Sequence, residues 1–437
     1  MTKVGIIFDV RRDPPFESVS KLWDATVAAL GRRFEIRVHT VDSFDVEGTP
    51  AFRAFVNDVD VLVALSPYYA IDREIADRPL VVYALGSLAK GGHWLRHNAR
   101  SFRATDTLVV SSTRCAKILG AIAKTPVMPV RRVPFGVDPD VYRPRDRATL
   151  RASLGLPRGR RILLYSGRIS PQKNCALVLE VFREMLRRHD DLHLVFVGRH
   201  DDFVVPELQV HPSDRETFER LRASLGERVT SLPHRDDPVA HAETIAAADV
   251  GLNFTTALGE NYGFTQVEYQ LCGLPVVCTD YGGLHDTVDD GRTGYRVPTT
   301  LTEHGVRVDV DAALDRLDRL LSDPAVMDTM GARARPHALA FSNAAFEEAL
   351  ARVVAETATR VCLRAPLDVP LAPEMERLHE RLLEQFGTPR GVDHEHLHPG
   401  LDFASYALVV SQIVTRDETS GSSTRDTFVP RGLRRST

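Results

Sequence analysis

Apolar positions along the chain follow two alternating rhythms. Short runs with apolar residues on both faces predict buried strands at Lys3–Phe8, Phe34–Val41, Asp60–Leu65, Leu80–Leu85 and Thr107–Ser111. Between the early strands, Ser18–Leu30 and Ala51–Asn57 place apolar residues at helical spacing. The stretch Pro134–Pro157, rich in Pro, Gly, Asp and Arg, reads as a linker. The rhythm then restarts, with strands at Arg161–Ser166, Leu192–Val197, Val229–Leu232, Val250–Phe254 and Val276–Thr279. Helices are expected at Asn174–Arg188, Ala242–Ala248 and Gly263–Cys272, and helices dominate from Val308 to Thr359. Fully apolar strands separated by helices imply parallel sheets covered on both sides. The predicted fold class is therefore α/β, with two doubly wound Rossmann-like domains facing a central cleft. The expected divisions are an N-terminal domain with linker (1–157), a C-terminal domain (158–345), C-terminal helices packing back across the domains (346–415) and a disordered tail (416–437).

Composition narrows the chemistry. The 437 residues carry a formal charge of −4, so no general basic field exists to hold a nucleic-acid backbone, and no nucleic-acid partner is expected. No apolar run approaches the roughly 18 residues of a membrane span. The first apolar run, Val4–Phe8, stops at Asp9, which reads as a strand rather than a secretory leader. The five cysteines are scattered and form no CxxC, pointing to reduced thiols in the cytoplasm, with neither zinc site nor disulfide framework. His394, His396 and His398 alternate, but they sit in a Gly/Pro-rich stretch, and no metal site is expected there. No GxGxxG follows the first strand and no GxxxxGK[ST] occurs, which disfavours NAD-dependent redox chemistry and P-loop phosphoryl transfer.

The informative positions lie in the second half. Strand Arg161–Ser166 runs into Gly167-Arg168-Ile169-Ser170-Pro171-Gln172-Lys173-Asn174. Gly167 lets the backbone turn closely at the strand end. Arg168 and Lys173, two cations beside a helix N-terminus, suit a diphosphate, though spacing alone allows two solvated charges equally well. After strand Val250–Phe254 comes Glu260-Asn261-Tyr262-Gly263-Phe264, opening a helix that carries Glu268 and closes at Cys272-Gly273-Leu274-Pro275. Amides around Gly263 and Phe264 are free donors at the positive end of that helix. A carboxylate accepts two hydroxyl hydrogen bonds well, so Glu260 and Glu268 can each hold a vicinal diol of a sugar or ribose.

At these residues the chain resembles family 4 glycosyltransferases of the GT-B fold, retaining enzymes that use nucleotide-sugars. The carriers are Gly167-Arg168…Lys173, the E-x7-E pair Glu260/Glu268, Ala247-Ala248-Asp249-Val250, Cys272-Gly273-Leu274-Pro275, Gly282-Gly283 and Asp290-Gly291-Arg292-Thr293-Gly294. In the first domain, Asp106–Ser111 resembles the family's "aDxvvxxS" strand, and Pro134-Phe135-Gly136-Val137-Asp138 its "PNGVD" linker. The resemblance implies that Arg168 and Lys173 neutralise the donor diphosphate and Glu268 binds the nucleotide ribose. It also implies that Glu260 contacts the donor sugar, with Gly167 and the amides of Asn261, Tyr262, Gly263 and Phe264 around it. A UDP-sugar donor, a small hydroxylated acceptor such as an aminocyclitol or sugar of secondary metabolism, and no cofactor or metal are expected.

The first domain departs from the family. The loop Asp13–Ser18 lacks its usual glycines, and Leu85-Gly86-Ser87 puts Leu where a His is common. Asp13, Gly86 and His93 are the acceptor-side candidates, with Asp9 and Glu17 near Asp13. Two other readings stay open: a peripheral-membrane transferase using Lys90–Arg103 against anionic lipid, and a sugar-nucleotide epimerase of the same fold.

Overall fold

The computed structural model describes residues 1–9, 17–41, 45–46, 48–66, 69–84, 99–122, 128–170, 173–200, 213–256, 260–302 and 305–368, with 373, 376, 377 and 380. The chain forms two compact units, one of Met1–Gly136 with the returning chain from Asn343, the other of Val137–Ser342.

The first unit contains β1 (Lys3–Asp9), β2 (Glu35–Val41), β3 (Asp45–Val46), β4 (Val61–Ala64), β5 (Ala70–Ile71), β6 (Leu80–Tyr83), β7 (Thr107–Val110) and β8 (Val130–Arg132). Six of these form a parallel sheet of order β2-β1-β4-β6-β7-β8, and β3 pairs with β5. Every residue of β4, β6 and β7 is buried, as expected of strands covered on both faces. The helix Asn343–Ala358 buries Phe346, Leu350 and Val354, a stripe at i, i+4 and i+8, and belongs to this unit. Its Glu347 accepts from Arg32 at 2.6 Å and Arg33 at 3.2 Å, beside the end of helix Glu17–Gly31, and its Thr357 hydroxyl lies 2.8 Å from that of Thr107.

The second unit contains β9 (Arg161–Ser166), β10 (Leu192–Val197), β11 (Val229–Leu232), β12 (Val250–Asn253), β13 (Val276–Thr279) and β14 (Gly294–Val297). All are parallel, in the order β11-β10-β9-β12-β13-β14. Two further strands, β15 (Thr299–Thr302) and β16 (Gly305–Val308), make an antiparallel hairpin. The core lies between the sheet and helices Cys175–Met185 and Val310–Ser322, where Val178, Phe182, Leu317 and Leu320 are fully buried.

Two expected boundaries move. The units divide at Gly136/Val137 and Ser342/Asn343, not at 157 and 345. The stretch read as a linker contains helix Arg147–Ser153, capped by Asp146, which accepts from the Thr149 amide at 2.9 Å. It belongs to the second unit because Arg151 donates to Asp249 (2.6 Å) and to the Ala247 carbonyl (2.8 Å), while Arg145 reaches Glu243. Helix Ser213–Ser224 escaped the apolar pattern because it is mostly polar, with Phe218 its inward anchor. Of the C-terminal helices expected over 346–415, only residues 346–368, 373, 376, 377 and 380 are described, and the tail expected at 416–437 lies entirely outside the described residues.

Candidate active site

Strand order decides where a ligand can sit in the second unit. β9 is flanked by β10 and β12, so the winding direction reverses between β9 and β12. In doubly wound sheets, ligands sit outside the carboxyl ends of the strands at that reversal. The loops leaving β9 and β12 are the ones that carry Arg168, Lys173 and Glu260.

The β9 exit begins at Gly167, with φ +138°. A Cβ on Gly198, at the β10 exit, would lie 1.9 Å from the Gly167 carbonyl oxygen, so these exits meet backbone to backbone. Arg168 follows, its carbonyl accepting the Tyr165 hydroxyl at 2.7 Å. Asn174 closes the loop with φ 52°, the sole left-handed non-glycine among the described residues. Its amide donates to the Phe254 carbonyl at 2.9 Å and to the Thr256 hydroxyl at 3.0 Å. Asn174 thus ties the β9 exit to the β12 exit. It was not among the predicted site residues, since an Asn at a strand-to-helix turn signals only a tolerated left-handed conformation.

Lys173 and Glu260 form an ion pair across these two exits, with side chains 20% and 10% exposed. Glu260 is seated by the turn after β13. The Gly283 amide donates to the Glu260 carbonyl at 2.9 Å, and a Cβ on Gly282 (φ +57°) would come within 2.0 Å of that oxygen. The glycine pair therefore permits the glutamate loop to lie on that turn. Gly263 then caps helix Phe264–Leu271 without any side-chain hydrogen bond. The amides of its first turn form the positive end of the helix. The helix closes as predicted at Gly273 (φ +81°), whose amide bonds Gln270 while that of Leu274 bonds Tyr269.

Glu268 lies in the second turn of this helix and acts on its neighbours as a fixed negative charge. Burial first, and then Glu268, pushes the phenols of Tyr142 and Tyr262 up, and the Cys272 thiol up to about 12. Tyr262 is 3% exposed, its ring edge-on to those of Phe264 and Phe341. Its side chain is therefore packing, and its contribution to a ligand is limited to the backbone.

The structure brings together Gly167, Arg168, Lys173, Glu260, Asn261, Gly263, Phe264 and Glu268 at one end of one sheet. Asp13, Gly86 and His93 lie outside the described residues, as do the side chains of Asp9 and Glu17. Two aspartates of the resemblance have structural partners. Asp106 accepts from the amides of Leu80 (3.0 Å) and Arg103 (2.7 Å) and pairs with Arg73, all buried. Asp138 accepts the Asp140 amide at 2.8 Å in a local turn.

Two doubly wound parallel units, one with its charged exits at the winding reversal, define the GT-B architecture. Residues 146–337 match the model of the family Glycosyl transferases group 1. It is 36% identical over 222 residues to a D-inositol 3-phosphate glycosyltransferase of Nocardia farcinica, covering 50% of this chain and 45% of the relative. The corresponding protein of Nocardioides is 33% identical over 251 residues, covering 55% of this chain and 51% of the relative. The chain thus spans about half the length of these curated relatives. Among solved structures, HepE of Anabaena in complex with UDP superposes with a TM-score of 0.63 at 17% identity, covering 82% of this chain and all of HepE. That likeness concerns the fold. Among the described residues, no helix is long and apolar enough to cross a membrane.

Proposed function

We propose that this chain is a retaining, metal-independent glycosyltransferase of family 4. It moves a sugar from a nucleotide-sugar, a UDP-sugar in the first instance, to a small hydroxyl-rich acceptor. The observation carrying this reading is the Lys173–Glu260 pair at the β9/β12 reversal, beside the N-terminus of helix Phe264–Leu271, with Glu268 eight residues after Glu260. Breaking the anomeric C–O bond releases a nucleoside diphosphate on which negative charge develops. Lys173, Arg168 and the first-turn amides stabilise that charge where it appears. Lys173 exchanges part of its pairing with Glu260 for the diphosphate, freeing Glu260 to accept from the donor sugar's hydroxyls. The acceptor oxygen bonds to the anomeric carbon on the face the diphosphate leaves, and its proton passes to the departing phosphate oxygen. Glu268 holds the ribose.

The acceptor side belongs to the first unit, where Asp13, His93 and Gly86 are the candidates. Relatives named for transfer to an inositol phosphate support a polyol acceptor, and we place aminocyclitols and sugars in that class. The test is a thermal-shift screen of nucleotide-sugars, followed by transfer assays with inositol 3-phosphate, aminocyclitols and a lipid-linked acceptor, with and without EDTA. A stabilising UDP-sugar and EDTA-resistant transfer to a polyol are expected. Transfer only to the lipid-linked acceptor, an altered sugar with donor alone, or activity restored by Mg²⁺ after EDTA would overturn the corresponding part.

A further inference from the structure

The loop leaving β9 has to turn sharply at a glycine and still hold Arg168 in one place. The side chain that restrains it lies beneath it, in the core. Tyr165, the penultimate residue of β9, is 1% exposed and belongs to the apolar cluster of the second unit, its ring 5.2 Å from that of Phe196. Packing at this position asks only for an aromatic ring. The hydroxyl adds a polar group whose burial is costly unless it is bonded. It donates to the Arg168 carbonyl at 2.7 Å. A phenol has one proton to give, and burial pushes its ionisation up, so this oxygen stays a donor.

This bond completes a set of anchors around Arg168. The Gly167 amide donates to the Val197 carbonyl at 3.0 Å, and the Ile169 amide to the Arg199 carbonyl at 2.9 Å. The peptide between Arg168 and Ile169 is therefore held at both ends, its N–H by the β10 exit and its carbonyl by Tyr165. Gly167, with φ +138°, is the compliant point next to it, because glycine tolerates rotations that other residues resist. Without the phenol, the Arg168 carbonyl loses its strong donor. Cys175 Sγ, 3.8 Å away, is too weak a donor to replace it. The relief open to the carbonyl is rotation of the peptide toward another partner, since an unpaired buried acceptor is costly. That rotation carries the Arg168 side chain with it, and a displaced cation no longer meets the charge it is placed for.

We infer that Tyr165 is a positioning residue that fixes the Arg168 backbone, and through it the guanidinium, in place for the donor diphosphate. This inference rests on the reading of Arg168 as a diphosphate cation. One neutral hydrogen bond sets the scale, so removing the hydroxyl weakens the diphosphate-dependent part of binding by roughly fivefold.

The test is calorimetric titration of the full chain with UDP and, by competition, with uridine, which lacks the diphosphate. Wild type, Arg168→Ala, Tyr165→Phe and the double variant are compared well below their melting temperatures, which are recorded. The wild type prefers UDP. Arg168→Ala cuts that preference by roughly tenfold and Tyr165→Phe by roughly fivefold, while uridine stays within about twofold. The double variant loses no more than Arg168→Ala alone, because the hydroxyl acts through Arg168. A hydroxyl that only stabilises the core lowers the melting temperature and leaves the preference as it was. A wild type that binds neither ligand, or both equally, or an Arg168→Ala variant that keeps the preference, overturns the reading of the diphosphate site itself. With that reading intact, a Tyr165→Phe variant that keeps the preference, or that lowers it by the same factor with and without Arg168, overturns the role of Tyr165 alone.

Discussion

The two units solve the same folding problem with one device and differ in what they do at the opposite end of their sheets. In each, an aspartate just before an inner strand accepts from an amide at or near the start of the neighbouring strand and from an arginine. Asp106, before β7, takes the Leu80 amide at the start of β6 and Arg73, with both charged side chains fully buried. Asp249, before β12, takes the Ile162 amide at 2.6 Å near the start of β9 and Arg151, with side chains 9% and 10% exposed. These are strand entrances, and their charges are spent on architecture. The Lys173–Glu260 pair sits at strand exits, on the loops either side of a winding reversal, where a ligand can replace one partner. In the first unit, the winding reverses between β1 and β4, and the β1 exit at 10–16 and residues 67–68 of the β4 exit lie outside the described residues. A charge is thus read by which end of the strand it occupies, not by its motif alone.

The sharpest way to break this comparison is at the entrances. Asp106→Ala leaves Arg73 buried without its carboxylate, and about 3–5 kcal/mol of stability should be lost. Asp249→Ala should cost less, because Arg147 is half-exposed and Arg151 keeps the carbonyls of Ala247 and Arg160. Denaturant unfolding of both variants checks this, and an equal or reversed ranking would contradict the shared device. At the exits the expectation inverts. Lys173→Ala and Arg168→Ala should keep the melting temperature and lose transfer by about 10²–10³ in rate, near 2.7–4 kcal/mol, if they act on charge developing in the transition state. Wild-type turnover in either variant would remove it from the site.

Within the exits, the two glutamates should separate by roughly tenfold effects of different kind. On the proposed roles, Glu268→Ala removes a ribose contact far from the bond being broken, so donor KM should rise with kcat nearly kept. Glu260→Ala would remove a contact to the reacting sugar and takes the ion-pair partner from Lys173, so kcat should fall more than KM changes. Steady-state kinetics with varied donor decides between these patterns, and identical patterns in both variants would dissolve the assignment.

Much of this was legible in the sequence, for identifiable reasons. Buried parallel strands are continuous apolar runs, so β9, β10, β11 and β13 fall where the pattern placed them. The helix Phe264–Leu271 announced both ends through Gly263 and Gly273, because left-handed caps favour glycine. What stayed hidden depends on contacts distant in sequence. The Pro134–Pro157 stretch has linker composition, yet Arg145, Arg147 and Arg151 bind it to residues about 100 positions away. Asn174 gained its role only when the β12 exit arrived beside it. Tyr142 lies in the Pro134–Pro157 stretch as well, and only the fold brings its hydroxyl within 3.0 Å of His241 Nδ1.

The smallest expected effect tests whether the returning helix truly belongs to the first unit. Glu347 is held below the usual carboxylate range mainly by its hydrogen bond from Arg32, with Arg33 adding to it. A depressed carboxylate stabilises the folded state above its unfolded value, and that contribution is lost as pH falls through the folded one. Arg32 and Arg33 are 65% and 50% exposed, so solvent and salt screen the attraction and leave it at about 0.2–1 kcal/mol. Glu347→Gln should therefore lower the melting temperature slightly at pH 7. The gap from wild type should narrow as pH drops below about 4.5, where the unfolded carboxylate takes up its proton, and close once the folded one is protonated as well. It should shrink again in 1 M salt at pH 7. Melting curves across pH 3–7 measure it directly. A gap that persists at low pH would mean Glu347 contributes through packing, and no gap at any pH would mean the helix is held by Phe346, Leu350 and Val354 alone.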